Sequence, residues 1–162
     1  RWPNPDFGWI DAGNAAMPEA SLQPVSAFVE KPDNQQARRL FSNNALWSTM
    51  IIAAKGQLLW QLAETLQPKF FLCFLYLHRL THAARHGQIQ HEAIDKAIYN
   101  TFQYMPGLDF SRDLLQNVPQ RCLVLPMTAI DWDDWGRPER VLECIERYGL
   151  DSSLSKASRG IC

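Results

Sequence analysis

Long apolar runs are missing from this 162-residue sequence. The longest, Phe70 to Leu77, has eight residues, against the roughly twenty that a membrane-spanning helix needs, so it reads as a buried helix segment. An excess of one charge is missing too. Sixteen basic and seventeen acidic residues leave a net charge of −1 with no basic block, which gives a nucleic-acid or anionic-membrane surface no footing. A small anionic ligand held by one or two cations would leave no mark on that balance. Paired cysteines are also lacking. The four, at 73, 122, 144 and 162, form no C-x-x-C, which argues against a zinc knuckle or a dithiol redox motif. Nothing reads as a secretory leader, and the expectation is a reducing, cytoplasmic location. Internal repeats and low-complexity segments are absent.

What is present is ordinary globular material: 46% hydrophobic and 20% charged residues, enough for one domain over about residues 1–150. Residues 151–162 are small and polar and read as a disordered tail. Phe7-Gly8-Trp9-Ile10 and Val25 to Val29 read as strands, the second stopped by Glu30-Lys31-Pro32 because Pro32 has no amide hydrogen. Asp33 suits the N-cap of a helix running to about Phe41, and Asn43-Asn44 marks a turn. Leu46 to Ala54 reads as an interior strand. Helices follow from Gly56 to the break at Pro68, from Phe70 to Arg85, and from His91 to Phe102, the last with Ile94, Ile98 and Phe102 on one stripe. Asp109 to Leu115 reads as a short helical turn, and Arg121 to Thr128 as a strand that Ile130 to Asp134 continues. A final helix starts near Pro138, buries Val141, Ile145 and Tyr148, and ends at Gly149. Strands alternating with helices predict an α/β layer structure with a mixed sheet.

Several strings, in order, resemble one family. Phe7-Gly8-Trp9-Ile10 followed by Phe28-Val29-Glu30-Lys31-Pro32 is similar to paired motifs of the sugar-nucleotide pyrophosphorylases. Ala45-Leu46-Trp47-Ser48-Thr49-Met50-Ile51 resembles a strand of their mannose-1-phosphate guanylyltransferase group. Asp109-Phe110-Ser111-Arg112-Asp113, Val124-Leu125-Pro126-Met127 and Trp132-Asp133-Asp134-Trp135-Gly136 complete the set, which spans about residues 3–149. Two positions depart from the family pattern: Ser48 stands where Asn is usual, and Met50 where Gly is frequent. The family's Gly-rich nucleotide loop has no counterpart here, so the resemblance covers the C-terminal, sugar-phosphate half of a Rossmann-like nucleotidyltransferase domain, with a mostly parallel sheet flanked by helices.

The resemblance implies transfer of a nucleoside monophosphate, GMP, from a nucleoside triphosphate to a sugar 1-phosphate, mannose 1-phosphate, with release of pyrophosphate. Its partners are thus those two substrates and Mg²⁺, with no nucleic acid or membrane, and a homo-oligomer is compatible. A non-catalytic sugar-phosphate-binding or regulatory module is the alternative. The chemistry is an in-line attack on phosphorus, which asks for positioning and charge neutralisation rather than covalent catalysis. By resemblance, Glu30 accepts from sugar hydroxyls, Lys31 binds the sugar phosphate, and Asp134 holds the metal, with Lys31 and Asp134 the catalytic pair. Gly8, Trp47, Ser48 and Asp113 line the sugar site, and Glu30, Lys31, Trp47 and Asp134 are expected around one cleft. Asp109 with Arg112, Arg137, and the bystanders Asp131 and Asp133 read as local or solvated charges. His78, His82 and His86 share a helix face, flanked by Arg79 and Arg85, and read as a solvated face.

Overall fold

The computed structural model describes residues 2–13, 21–127 and 130–150. The chain divides into two compact units, Arg1–Pro126 and Met127–Cys162. In the first, the strands are β1 (Gly8–Asp11), β2 (Gln23–Pro24), β3 (Ala27–Glu30), β4 (Leu46–Trp47) and β5 (Leu123–Val124). β1 lies between β3 and β4, and β2 pairs with β5 in a second small sheet. The fold is therefore mixed α/β, but every pairing among the described residues is antiparallel. The mostly parallel sheet expected from the resemblance is not shown by these pairings. The physical reason lies in the connections. β3 and β4 do run in the same direction, joined over α1 (Asn34–Ser42), as a helical crossover requires. They are not neighbours, because β1 fills the space between them running the other way.

Pairing register decides the two faces of this sheet. Trp9 stands opposite Val29 and Trp47, while Gly8 stands opposite Glu30. Trp9, Val29 and Trp47 therefore share one face, and pack with Ala37 and Leu40 of α1 and with Ala45. Trp9 is fully buried, and its indole N–H donates to the Asn4 carbonyl at 2.9 Å. The helix that covers this face begins where the sequence says it should. The Asp33 carboxylate accepts from the Gln36 N–H at 2.7 Å and so satisfies one of the orphan amides of the first turn.

The Leu46–Ala54 strand is shorter than expected. Its ladder covers β4 alone, and β4 is an edge strand rather than an interior one. Beyond it the side chains compete for the backbone: the Met50 N–H donates to Ser48 Oγ and the Ile51 N–H to Thr49 Oγ1. Met50 also turns to φ 56, which an extended ladder cannot accommodate. Arg121 to Thr128 is likewise reduced to β5, Ile130 to Asp134 forms no strand, and Thr128 lies outside the described residues.

Three helices follow β4: α2 (Gly56–Leu66), α3 (Pro68–Arg85) and α4 (His91–Tyr104). Pro68 does not merely end α2. It occupies the first turn of α3, where its missing N–H costs nothing. Leu62, Phe71 and Ile94 are buried among these helices, whereas Ile98 and Phe102 of the expected stripe stay exposed. No helix among the described residues is long and apolar enough to cross a membrane.

The second unit holds α5 (Pro138–Tyr148), closed by Gly149 in the left-handed conformation at φ 61. Cys144 and Ile145 are buried, but Tyr148 is exposed and donates its hydroxyl to the Asp131 carboxylate instead of joining the buried stripe. That hydrogen bond, to a negatively charged acceptor, raises the pKa of the Tyr148 phenol. Residues 151–162, expected to be a tail, lie outside the described residues.

Candidate functional site

The face of the sheet away from the tryptophans carries Gly8, Glu30 and Ser48 together. Ser48 is held to β1 by its N–H, which donates to the Gly8 carbonyl at 2.8 Å. A β-carbon on Gly8 would stand 2.8 Å from Glu30 Oε2, 3.2 Å from Phe28 Cζ and 3.3 Å from Ser48 Cβ. The Glu30 carboxylate thus lies over the bare backbone of Gly8, beside Ser48. The glycine is needed for this close approach and not for its φ. Gly8→Ala is expected to cost about 1 kcal/mol, the low end for overpacking, because the tip of a flexible glutamate yields first. The same change should displace the Glu30 carboxylate and weaken any ligand it holds. Urea unfolding alongside a binding titration checks both, and a variant unchanged in each would deny the close approach.

Lys31 follows at the strand end with φ 45, one of three non-glycine residues in the left-handed region among those described. Its Nζ lies 4.0 Å from Glu30 Oε1, and the side chain is 60% exposed against 12% for Glu30. An acceptor-only carboxylate therefore sits close to a solvent-facing ammonium. The first suits paired hydroxyl donors and the second a phosphate, for which lysine acts as a point charge.

The segment Asp109–Asn117 borders these strand ends. It is a π-helical turn (Phe110–Leu114) running into a 3₁₀ turn (Leu115–Asn117). Its polar side chains lace it to itself: Asp109 Oδ1 accepts from the Arg112 N–H and Asp113 Oδ2 from the Asp109 N–H. Asp113, expected in the sugar site, thus uses its carboxylate to close its own turn, and Asp109 caps that turn rather than bonding the Arg112 side chain. The contributions this segment makes to the site come from two residues that the sequence reading missed. Gln116 Oε1 accepts from the Glu30 N–H at 3.3 Å, and Ser111 Oγ donates to Met50 Sδ at 3.2 Å. Polar and apolar residues mix along this turn, and local sequence carries no sign of which polar side chains meet β3 and Met50.

Trp47 is not on this face. It stands on the opposite side of the sheet, with its ring edge-on to Trp2, Phe7 and Trp9 at 5.4, 4.9 and 6.1 Å. Its buried Nε1 has no hydrogen-bond partner among the described residues. The parity of strand positions forces this placement: adjacent residues 47 and 48 must point to opposite faces.

Asp134 belongs to the second unit. Its Oδ1 accepts from the Gly136 N–H at 2.8 Å, and its Oδ2 pairs with Arg140 at 3.1 Å. The neighbouring Asp133 accepts from the Asp134 N–H and so stabilises the turn. The Asp134 side chain is 46% exposed, and each oxygen retains a lone pair beyond the one already engaged. That donor set fits one monodentate contact to Mg²⁺, an ion that keeps most of its waters and takes one or two protein carboxylates. Among the described residues no group of three His, Cys, Asp or Glu side chains could hold a metal. His82 and His86 place their rings 4.6 Å apart on the exposed side of α3.

Two clefts lie elsewhere on the first unit. One, of about 580 Å³, runs along α1 past Asn34, Arg38 and Ser42, and one of about 410 Å³ lies between α3 and α4, past Leu72, Tyr76 and Tyr104. Neither includes Gly8, Glu30 or Lys31; both are open surface grooves, and the one along α1 carries Arg38 and Arg39 but no carboxylate. The convergence of polar groups at the end of β3 makes that edge the better candidate. No protein-family model, curated protein or solved structure matches this chain.

Proposed function

We propose that this protein is a sugar-1-phosphate nucleotidyltransferase of the mannose-1-phosphate guanylyltransferase type, whose sugar and metal side these residues carry. The observation that supports it best is the Glu30 carboxylate seated over Gly8 beside Ser48, with the Lys31 ammonium next to it at the strand end. In this reading Glu30 and Ser48 hold sugar hydroxyls, and Lys31 holds the sugar phosphate for in-line attack on the α-phosphorus of GTP. On the second unit, the Asp134 carboxylate would hold Mg²⁺, an ion that would supply charge neutralisation in phosphoryl transfer. Trp47 supports the strand from behind. The parallel strands of such a domain belong, in this proposal, to a nucleotide-binding half bearing the Gly-rich loop. The proposed setting is the cytoplasm. Cys73, Cys122 and Cys144 are free thiols, with burial pushing that of Cys122 up and away from reactivity.

Calorimetric titration of the 162-residue chain with mannose 1-phosphate, mannose and inorganic phosphate tests the proposal. Mannose 1-phosphate is expected to bind at least about tenfold tighter than either part alone, a difference of about 1.4 kcal/mol. Glu30→Gln should weaken mannose 1-phosphate and leave inorganic phosphate unchanged. If mannose 1-phosphate binds no better than inorganic phosphate, the reading fails.

A further inference from the structure

Met50 is held at φ 56, a backbone conformation that glycine enters freely and that a residue with a β-carbon enters only at a cost. Strain of this kind persists where the surroundings over-determine it, and it gathers at ligand sites. Here the surroundings are specific. The Met50 N–H is fixed by Ser48 Oγ at 3.3 Å, and its sulfur accepts from Ser111 Oγ at 3.2 Å. Ser111 is 4% exposed, so the anchor is rigid, while Met50 itself is 49% exposed. The thioether is thus neither core nor a free surface side chain. Ser48, whose Oγ holds the Met50 N–H, itself lies beside the Glu30 carboxylate over Gly8.

We propose that Met50 is a specificity-determining residue of the sugar site. Anchored on Ser111, its thioether takes up the space at the Ser48 end into which a substituent larger than a hydroxyl would project. This rests on the sugar-1-phosphate reading above. The group excluded is an acylamino group in place of a ring hydroxyl, since an apolar thioether gives it no room and no hydrogen-bond donor. Methionine suits the task because it is flexible enough to reach Ser111 and polarizable enough to accept its hydroxyl.

The test titrates the full chain, as wild type and as Met50→Gly, with mannose 1-phosphate and with an N-acetylhexosamine 1-phosphate. Wild type should favour mannose 1-phosphate, and Met50→Gly should narrow that preference by about tenfold, the lower end of what one methylene-sized group discriminates. Met50→Leu keeps bulk but loses the sulfur that Ser111 anchors, so, like Ser111→Ala, it should narrow the preference only in part. Glycine relieves the left-handed backbone, so a melting curve close to wild type is expected for Met50→Gly. If that variant binds mannose 1-phosphate with the wild-type preference intact, Met50 has no part in selection and the inference is wrong. If the wild-type chain binds neither sugar phosphate, the sugar-1-phosphate reading falls first and takes this inference with it.

Discussion

Trp9→Ala is expected to lower the stability of the first unit by about 3–5 kcal/mol, the range for truncating a buried aromatic. The residue is 1% exposed, on the middle strand of its sheet, and packs in a cluster with Ala37, Leu40 and Ala45. Small neighbours make collapse of the cavity difficult, since Ala37 and Ala45 have no side-chain reach to fill it. The indole N–H also bonds the Asn4 carbonyl at 2.9 Å, a contact worth about 1 kcal/mol more. Domains are stable by roughly 5–15 kcal/mol in total, so the variant should unfold at a much lower urea concentration or fail to fold. Trp9→Phe keeps most of the buried area and should lose far less. Trp60, 40% exposed on α2 with its ring edge-on to Phe71, is the milder comparison for removal of an indole. A Trp9→Ala midpoint within error of wild type would mean that Trp9 is not the centre of this core.

Lys31→Ala should do the opposite: it should leave stability nearly untouched and lower mannose 1-phosphate affinity by one to two decades. The estimate follows from losing a charge-assisted hydrogen bond, worth about 1.5–3 kcal/mol. Stability is spared because the Lys31–Glu30 pair is 4.0 Å apart with the lysine 60% exposed, and surface pairs of this kind contribute little. Alanine keeps the strain of φ 45, so Lys31→Gly provides a second arm. It removes the charge together with the strain and should be the more stable of the two variants, while binding is equally weak. Lys31→Arg keeps the charge and should recover most of the affinity. Added salt should weaken wild-type binding and affect Lys31→Ala much less. Equal mannose 1-phosphate affinity for wild type and Lys31→Ala would remove the lysine from the site.

The legible parts of the site were those on strand ends next to a proline or glycine. Glu30 and Lys31 precede Pro32, which stops the ladder, and Gly8 is the one position in its strand without a side chain; a close approach is what such a gap permits. Trp47 and Asp113 were assigned to the site by resemblance alone. The structure puts the first on the far face and turns the second onto its own backbone. Met50 was visible as a departure from the family pattern, but its backbone conformation was not, because a left-handed methionine has no sequence signature.

The sequence by itself determined several helix ends: Asp33 capping α1, Pro138 opening α5 and Gly149 closing it. These are contacts within four residues of chain, and their chemistry is complete in the local residue types. Tertiary structure decided which strands are neighbours and which face each residue joins. β1 lies between β3 and β4 because Trp9 must meet Ala37 and Leu40 on one side while Gly8 admits Glu30 on the other. A shift of β1 by one residue would exchange its two faces, turning Trp9 away from Ala37 and Leu40 and Gly8 away from Glu30, and only the partners across the sheet set the register.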